Sequence, residues 1–66
     1  MNIQINGEGR KIKAGETLAG LVKKLHPGKQ RVATLVNGRI VPAEKRRNFI
    51  LAEGDRVELL TFAGGG

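Results

Sequence analysis

Few side chains in this sequence can do covalent chemistry. Cysteine is absent and histidine occurs once, at His26. There is no thiol to act as a nucleophile, to form a disulfide or to hold a metal. His26 has no second histidine or cysteine to join it in a metal shell or a nucleophile–base pair. Next to Pro27, it suits a solvated group at a helix end, where a cation favours the helix dipole. Glu53 and Asp55 flank Gly54. Paired carboxylates can act as acid and base, but around a glycine they fit a turn closed by an Asx side-chain bond. The remaining group is the Gly66 carboxylate, at the end of the run Gly64-Gly65-Gly66. A carboxylate oxygen is a poor leaving group until it is activated, for instance by adenylation. Glycine has no Cβ, so such a run fits a narrow channel and accepts whatever φ and ψ the channel imposes. Extended, residues 63–66 reach roughly 13 Å at ~3.3 Å each. Glycine-rich ends are also often frayed and without function. The tail therefore gains meaning only from the elements that precede it.

Those elements can be read in order. Ile3 and Ile5 alternate with Asn2, Gln4 and Asn6, the period of a strand with one buried face. Asn6-Gly7 accepts the positive φ of a tight hairpin turn. A second short strand is expected near Arg10 to Ala14, with Ile12 its one large apolar residue and Lys11 and Lys13 facing water. Thr17 is the expected N-cap of a helix. Leu18, Leu21, Val22 and Leu25 give that helix one apolar stripe, and Pro27-Gly28 ends it. Gly20 inside it costs roughly 1 kcal/mol relative to alanine. Val32 to Val36 suits a central strand, and Asn37-Gly38 a second tight turn. Arg39 to Val41 returns as a short strand that Pro42 stops. Ala43 to Asn48 is polar and basic, a surface loop or one helical turn. Lys45-Arg46-Arg47 within it fits either a solvated loop or a contact with an acidic patch. Phe49-Ile50-Leu51 is expected to re-enter the core, and Ala52 to Asp55 to turn. Arg56 to Phe62 forms the last strand, with Val57, Leu59 and Thr61 on one side and Glu58, Leu60 and Phe62 on the other.

This order predicts an α+β fold, one mixed β-sheet packed on one main helix. The first and last strands can pair side by side in the centre, with the helix as their crossover, which is the ubiquitin-like β-grasp arrangement. The expected organisation is a β-grasp domain over 1–62 and a flexible C-terminal glycine tail over 63–66. If Val57 and Leu59 face the core, Leu60 and Phe62 face outward beside the tail, an apolar pair fit for partner docking. Coverage of both faces, or a bulge that flips the register, would bury them instead.

Composition narrows the classes. The chain has 66 residues, 39% of them apolar, enough for one modest core. Pockets that enclose a substrate run to roughly 300 Å³ or more, which favours a carrier or binding module over an enzyme. Net charge is +6. That balance attracts nucleic acid, anionic lipid or acidic protein, or serves solubility. Only Phe49 and Phe62 are aromatic and neither interleaves with the basic groups, so the stacking platforms that read unpaired bases are missing. A basic RNA-binding module is kept as the reading from a different class. No stretch reaches the ~20 apolar residues that cross a bilayer, and Met1 to Gln4 does not open a signal peptide. The expected setting is cytoplasmic.

Five pieces together resemble a known family. They are the opening strand ending Asn6-Gly7, Gly15-Glu16-Thr17-Leu18 at the helix start, Val36-Asn37-Gly38-Arg39-Ile40-Val41-Pro42, Leu51-Ala52-Glu53-Gly54-Asp55-Arg56-Val57-Glu58-Leu59, and the terminal Gly65-Gly66. The chain resembles the ThiS family of thiamine-biosynthesis sulfur carriers over nearly its whole length. Chains of that family are often acidic or near neutral, whereas this one is basic. The resemblance implies a ubiquitin-like β-grasp fold and a protein co-substrate with no catalytic residues, metal or bound cofactor of its own. It implies that a ThiF-like adenylating enzyme uses ATP to activate the Gly66 carboxylate. A sulfur donor protein would then convert the adenylate to a thiocarboxylate, with Gly64 as spacer. A ThiG-like thiazole synthase would take the sulfur. A carrier that visits successive partners is expected to be a monomer when free. The small, MoaD-like subunit of molybdopterin synthase ends in the same Gly-Gly, so a molybdopterin precursor or another sulfur-transfer pathway is the alternative.

Overall fold

The computed structural model describes residues 1–28 and 31–62. Among these residues the strands are β1 (Asn2–Ile5), β2 (Glu8–Lys11), β3 (Arg31–Val36), β4 (Arg39–Val41) and β5 (Arg56–Phe62). One helix, α1 (Leu18–Leu25), and a 3-10 helix, Ala43–Asn48, complete the order. The sheet runs β2-β1-β5-β3-β4. β1 and β5 are parallel, as a helical crossover requires, and every other pairing is antiparallel. The expected central pairing of the first and last strands is present.

Two Asn-Gly dipeptides build the two hairpins. Asn6 and Gly7 have φ of 50° and 85°, and Asn37 and Gly38 have 52° and 83°. Positive φ at both central residues is the type I′ geometry, whose twist matches that of the flanking strands. The loops are two residues long, so Ile5 pairs directly with Glu8 and Val36 with Arg39. This corrects the expected place of the second strand. β2 begins at Glu8 because a two-residue turn leaves no slack, and Ile12 falls just past its end. There the Ile12 N–H donates to the Met1 carbonyl at 2.8 Å, and the side chain packs against the core.

Both asparagines also reach β5 with their side chains. Asn6 Oδ1 accepts from the Leu59 N–H at 2.9 Å and its Nδ2 donates to the Leu59 carbonyl at 3.3 Å. Asn37 Oδ1 accepts from the Arg56 N–H at 2.9 Å, and its Nδ2 donates to Asp55 Oδ1 at 3.0 Å. Each hairpin is thus hooked to the central strand by an amide that imitates a backbone peptide. Replacing Asn6 by alanine removes two hydrogen bonds, each worth about 1 kcal/mol net, and strains a left-handed residue by about 1 kcal/mol. The expected loss is about 2–3 kcal/mol of unfolding free energy, read from urea denaturation. Asn6→Gly keeps the backbone freedom and should lose visibly less, which separates the two causes.

The core lies between the sheet and α1: Ile3, Ile5, Leu18, Leu21, Val36, Val41, Leu51, Val57 and Leu59 are buried. Thr17 caps α1 as expected, accepting from the Gly20 N–H at 3.1 Å. The Leu18 N–H donates to the Phe49 carbonyl and the Leu51 N–H to the Glu16 carbonyl, at 2.8 and 2.9 Å. These bonds tie 49–51 to the helix start. Only part of that segment enters the core. Leu51 is buried and Phe49 half-buried, but Ile50 is 65% exposed, because an extended backbone turns alternate side chains outward. The Asp55 turn forms as expected, with the Ala52 N–H donating to Asp55 Oδ2 at 2.8 Å.

Arg46 departs from the solvated-loop reading. Its Nε donates to Thr34 Oγ1 at 3.1 Å, its Nη2 donates to the Val32 carbonyl, and the side chain is half-buried. Thr34 in turn donates to the Val41 carbonyl at 2.7 Å. The 3-10 helix is pinned to the sheet through this arginine, which satisfies a fully buried hydroxyl.

Candidate functional site

β5 positions the site. Its register against β3 runs without interruption from Val36↔Val57 to Arg31↔Phe62. No bulge intervenes, so the alternation holds to the strand's end. Val57 and Leu59 enter the core, while Leu60 and Phe62 are 49% and 53% exposed on the face opposite α1. The covered-face reading of these two residues is therefore set aside.

The neighbouring strands extend this patch. Leu60 stands opposite Ala33, and Glu58 opposite Leu35. Leu35 in turn stands opposite Ile40, which is 75% exposed. Ile40, Leu35, Ala33, Leu60 and Phe62 thus share one apolar side of the sheet, bordered by Arg31 and Glu58. Exposed apolar surface of this kind, on a sheet with its other face packed, marks an interaction site. The sequence reading named Leu60 and Phe62 but missed Ile40. The alternation Arg39-Ile40-Val41 carried the signal, because Val41 is buried and its neighbour must point the other way.

The patch lies along the strand that leads to the glycine run. Gly64, Gly65 and Gly66 lie outside the described residues. Among the described residues no group of three or more histidine, cysteine, aspartate or glutamate side chains is placed to hold a metal. Glu53 and Asp55 have structural duties instead, Glu53 accepting from the Asn2 N–H at 2.9 Å. No described helix is long and apolar enough to cross a membrane.

A sheet with a parallel central pair, one crossover helix on one face and an apolar open face defines a ubiquitin-like β-grasp domain. Solved structures agree. The crystal structure of the thiamine biosynthesis protein ThiS from Geobacter metallireducens superposes with a TM-score of 0.82 at 28% identity, each chain covered fully. In sequence, the chain is 30% identical to the sulfur carrier protein ThiS of Escherichia coli K12, again over the whole of both. The ThiS family pattern matches residues 3–66, and the chain belongs to the ThiS family. It is also 35% identical over its full length to a thiazole synthase of Paramagnetospirillum magneticum. It spans 20% of that relative's length, and the same share of a thiazole synthase from Magnetococcus marinus.

Proposed function

We propose that this chain is a sulfur carrier for thiazole formation in thiamine biosynthesis, acting as a protein co-substrate and not as a catalyst. Membership of the ThiS family over residues 3–66 carries this reading. The open apolar face supports it, since a carrier must dock before it delivers its tail. In the scheme, residues 1–62 are the docking domain and 63–66 the tail. A ThiF-like enzyme binds ATP, and the Gly66 carboxylate attacks the α-phosphorus with release of pyrophosphate. Hydrosulfide (HS⁻) released by a donor protein then attacks the acyl carbon, the acyl C–O bond breaks and AMP departs, and loss of the S–H proton leaves a thiocarboxylate. A ThiG-like thiazole synthase accepts that sulfur. Two relatives named thiazole synthase each contain a stretch similar to this whole chain, which supports that enzyme as the acceptor. The carrier works in the cytoplasm as a monomer and binds no cofactor; the ATP belongs to its activating partner.

Intact-mass spectrometry after incubation with ATP, a ThiF-like enzyme and a sulfur donor tests the scheme. The expected product is heavier by the difference between sulfur and oxygen. An unchanged mass with demonstrably active partners would overturn it. The docking role has its own prediction. Leu60→Asp with Phe62→Asp should raise the KM for the carrier in the activating reaction about tenfold or more, the effect of losing an apolar anchor from an interface. Both side chains are half exposed, so the melting temperature should hardly move.

A further inference from the structure

A second surface lies on the helix side of the molecule. A groove of about 380 Å³ runs between the C-terminal half of α1 and the 3-10 helix, bordered by Val22 and Pro27. Lys23, His26, Arg46 and Arg47 line it, and among the described residues no carboxylate does. The only ion pair among the described residues is Lys24–Glu16 at 2.7 Å, so Lys23, Arg46 and Arg47 have no carboxylate in bridging distance there. Lys23 and Arg47 are exposed. Arg46 is fixed by its bonds to Thr34 and Val32, so its charge is held in place before any ligand arrives, and a ligand meets little ordering cost there. Val32 pairs with Thr61, one residue from the end of β5. Arg46 thus links the groove to the Val32–Thr61 pair near the end of β5, on the opposite side of the sheet from Leu60 and Phe62.

We propose that this groove docks an acidic segment of a protein partner, its carboxylates meeting Lys23, Arg46 and Arg47. The guanidinium groups match carboxylate geometry. No phenylalanine, tyrosine or tryptophan lines the groove among the described residues, and His26 is the one ring there, which disfavours a nucleic acid with successive bases to stack. The two faces are separate, so a partner can grip the open sheet and the groove together around the end of β5. The inference holds whether or not Gly66 carries sulfur, because no residue of the tail takes part.

The test is an NMR titration of the full ¹⁵N-labelled chain with a hexaglutamate peptide and, separately, with an oligouridylate. The expected peptide footprint is confined to Lys23–Gly28 and Ala43–Arg47. It should vanish near 1 M salt, where screening acts over about 3 Å. Lys23→Glu with Arg47→Glu should weaken peptide binding about tenfold, as two exposed attractions become repulsions. Matching melting curves for the variant and the parent keep that comparison sound. A footprint spread equally over Arg10, Lys11 and Lys13, or no footprint at all, would overturn the proposal. So would oligouridylate binding in the same groove as tightly as the peptide.

Discussion

A chain lacking Gly65 and Gly66 is expected to gain no sulfur in the presence of ATP, a ThiF-like enzyme and a sulfur donor, while folding as before. The truncated chain still ends in a carboxylate, now on Gly64, so the reacting group is retained. What changes is reach. Two extended residues span about 7 Å, whereas reacting atoms must approach to about 3–3.5 Å. A carboxylate withdrawn by that distance cannot meet the α-phosphate held in the partner's pocket. The fold should be indifferent, because among the described residues the last buried one is Leu59. Gly65→Val is the companion variant. It keeps the length and adds a branched Cβ to the segment that, in the proposed scheme, enters the partner's channel. It should lower turnover strongly while the docking face still binds. Sulfur loading of the truncated chain would place the modified group somewhere other than Gly66. The same truncation separates the carrier from an RNA-binding module, whose salt-sensitive affinity would survive it.

The second large effect concerns stability. Leu18 is 0% exposed and begins α1. It packs in the cluster formed by Ile3, Ile5, Val57 and Leu59. Leu18→Ala leaves a cavity beneath the centre of the sheet and is expected to cost about 3–4 kcal/mol. Small domains sit near the lower end of the ~5–15 kcal/mol range of folding stabilities, so this one change should leave only about 1–2 kcal/mol, and roughly 3–15% of the population unfolded at room temperature. Urea denaturation with far-ultraviolet circular dichroism reads the loss. Ile40→Ala is the control. That side chain is 75% exposed, and its removal should change stability by no more than about 0.5 kcal/mol. A loss below about 1 kcal/mol for Leu18→Ala would mean that the helix is not anchored where the burial places it.

Much of this architecture was legible because it is encoded locally. Asn-Gly sets its own φ, so both turns could be read from two letters each. Alternation in β1 and β5 gave the faces, and the spacing of Leu18, Leu21, Val22 and Leu25 gave the helix. What escaped depends on partners far along the chain. The Asn6 amide bonds a residue 53 positions away, and nothing beside Asn6 announces it. Arg46 sits in a run of cations that reads as solvent-facing, yet a buried hydroxyl on β3 draws it inward. Gly20 looked like a simple weakness in α1. In the fold, the place of its missing Cβ is taken by the Glu16 carboxylate, the group that also holds Lys24. The apolar face was half legible. Leu60 and Phe62 lie on a strand long enough to show its period, whereas three residues of β4 gave Ile40 little context.

The position of β5 in the sheet has a consequence for how the molecule is made. Its two hairpins, β1-β2 and β3-β4, are local and can form as they leave the ribosome. In the sheet neither pairs with the other except through β5, which is the last of the five described strands to be synthesised. A nascent chain halted before Arg56 holds two ribbons with no strand to join them into one sheet, and a lone ribbon is at best marginally stable in water. Such a fragment has no closed core and is left to proteases. Folding therefore serves as a proofreading step, since every copy that survives in compact form has already built the strand that carries Leu60 and Phe62 on its open face.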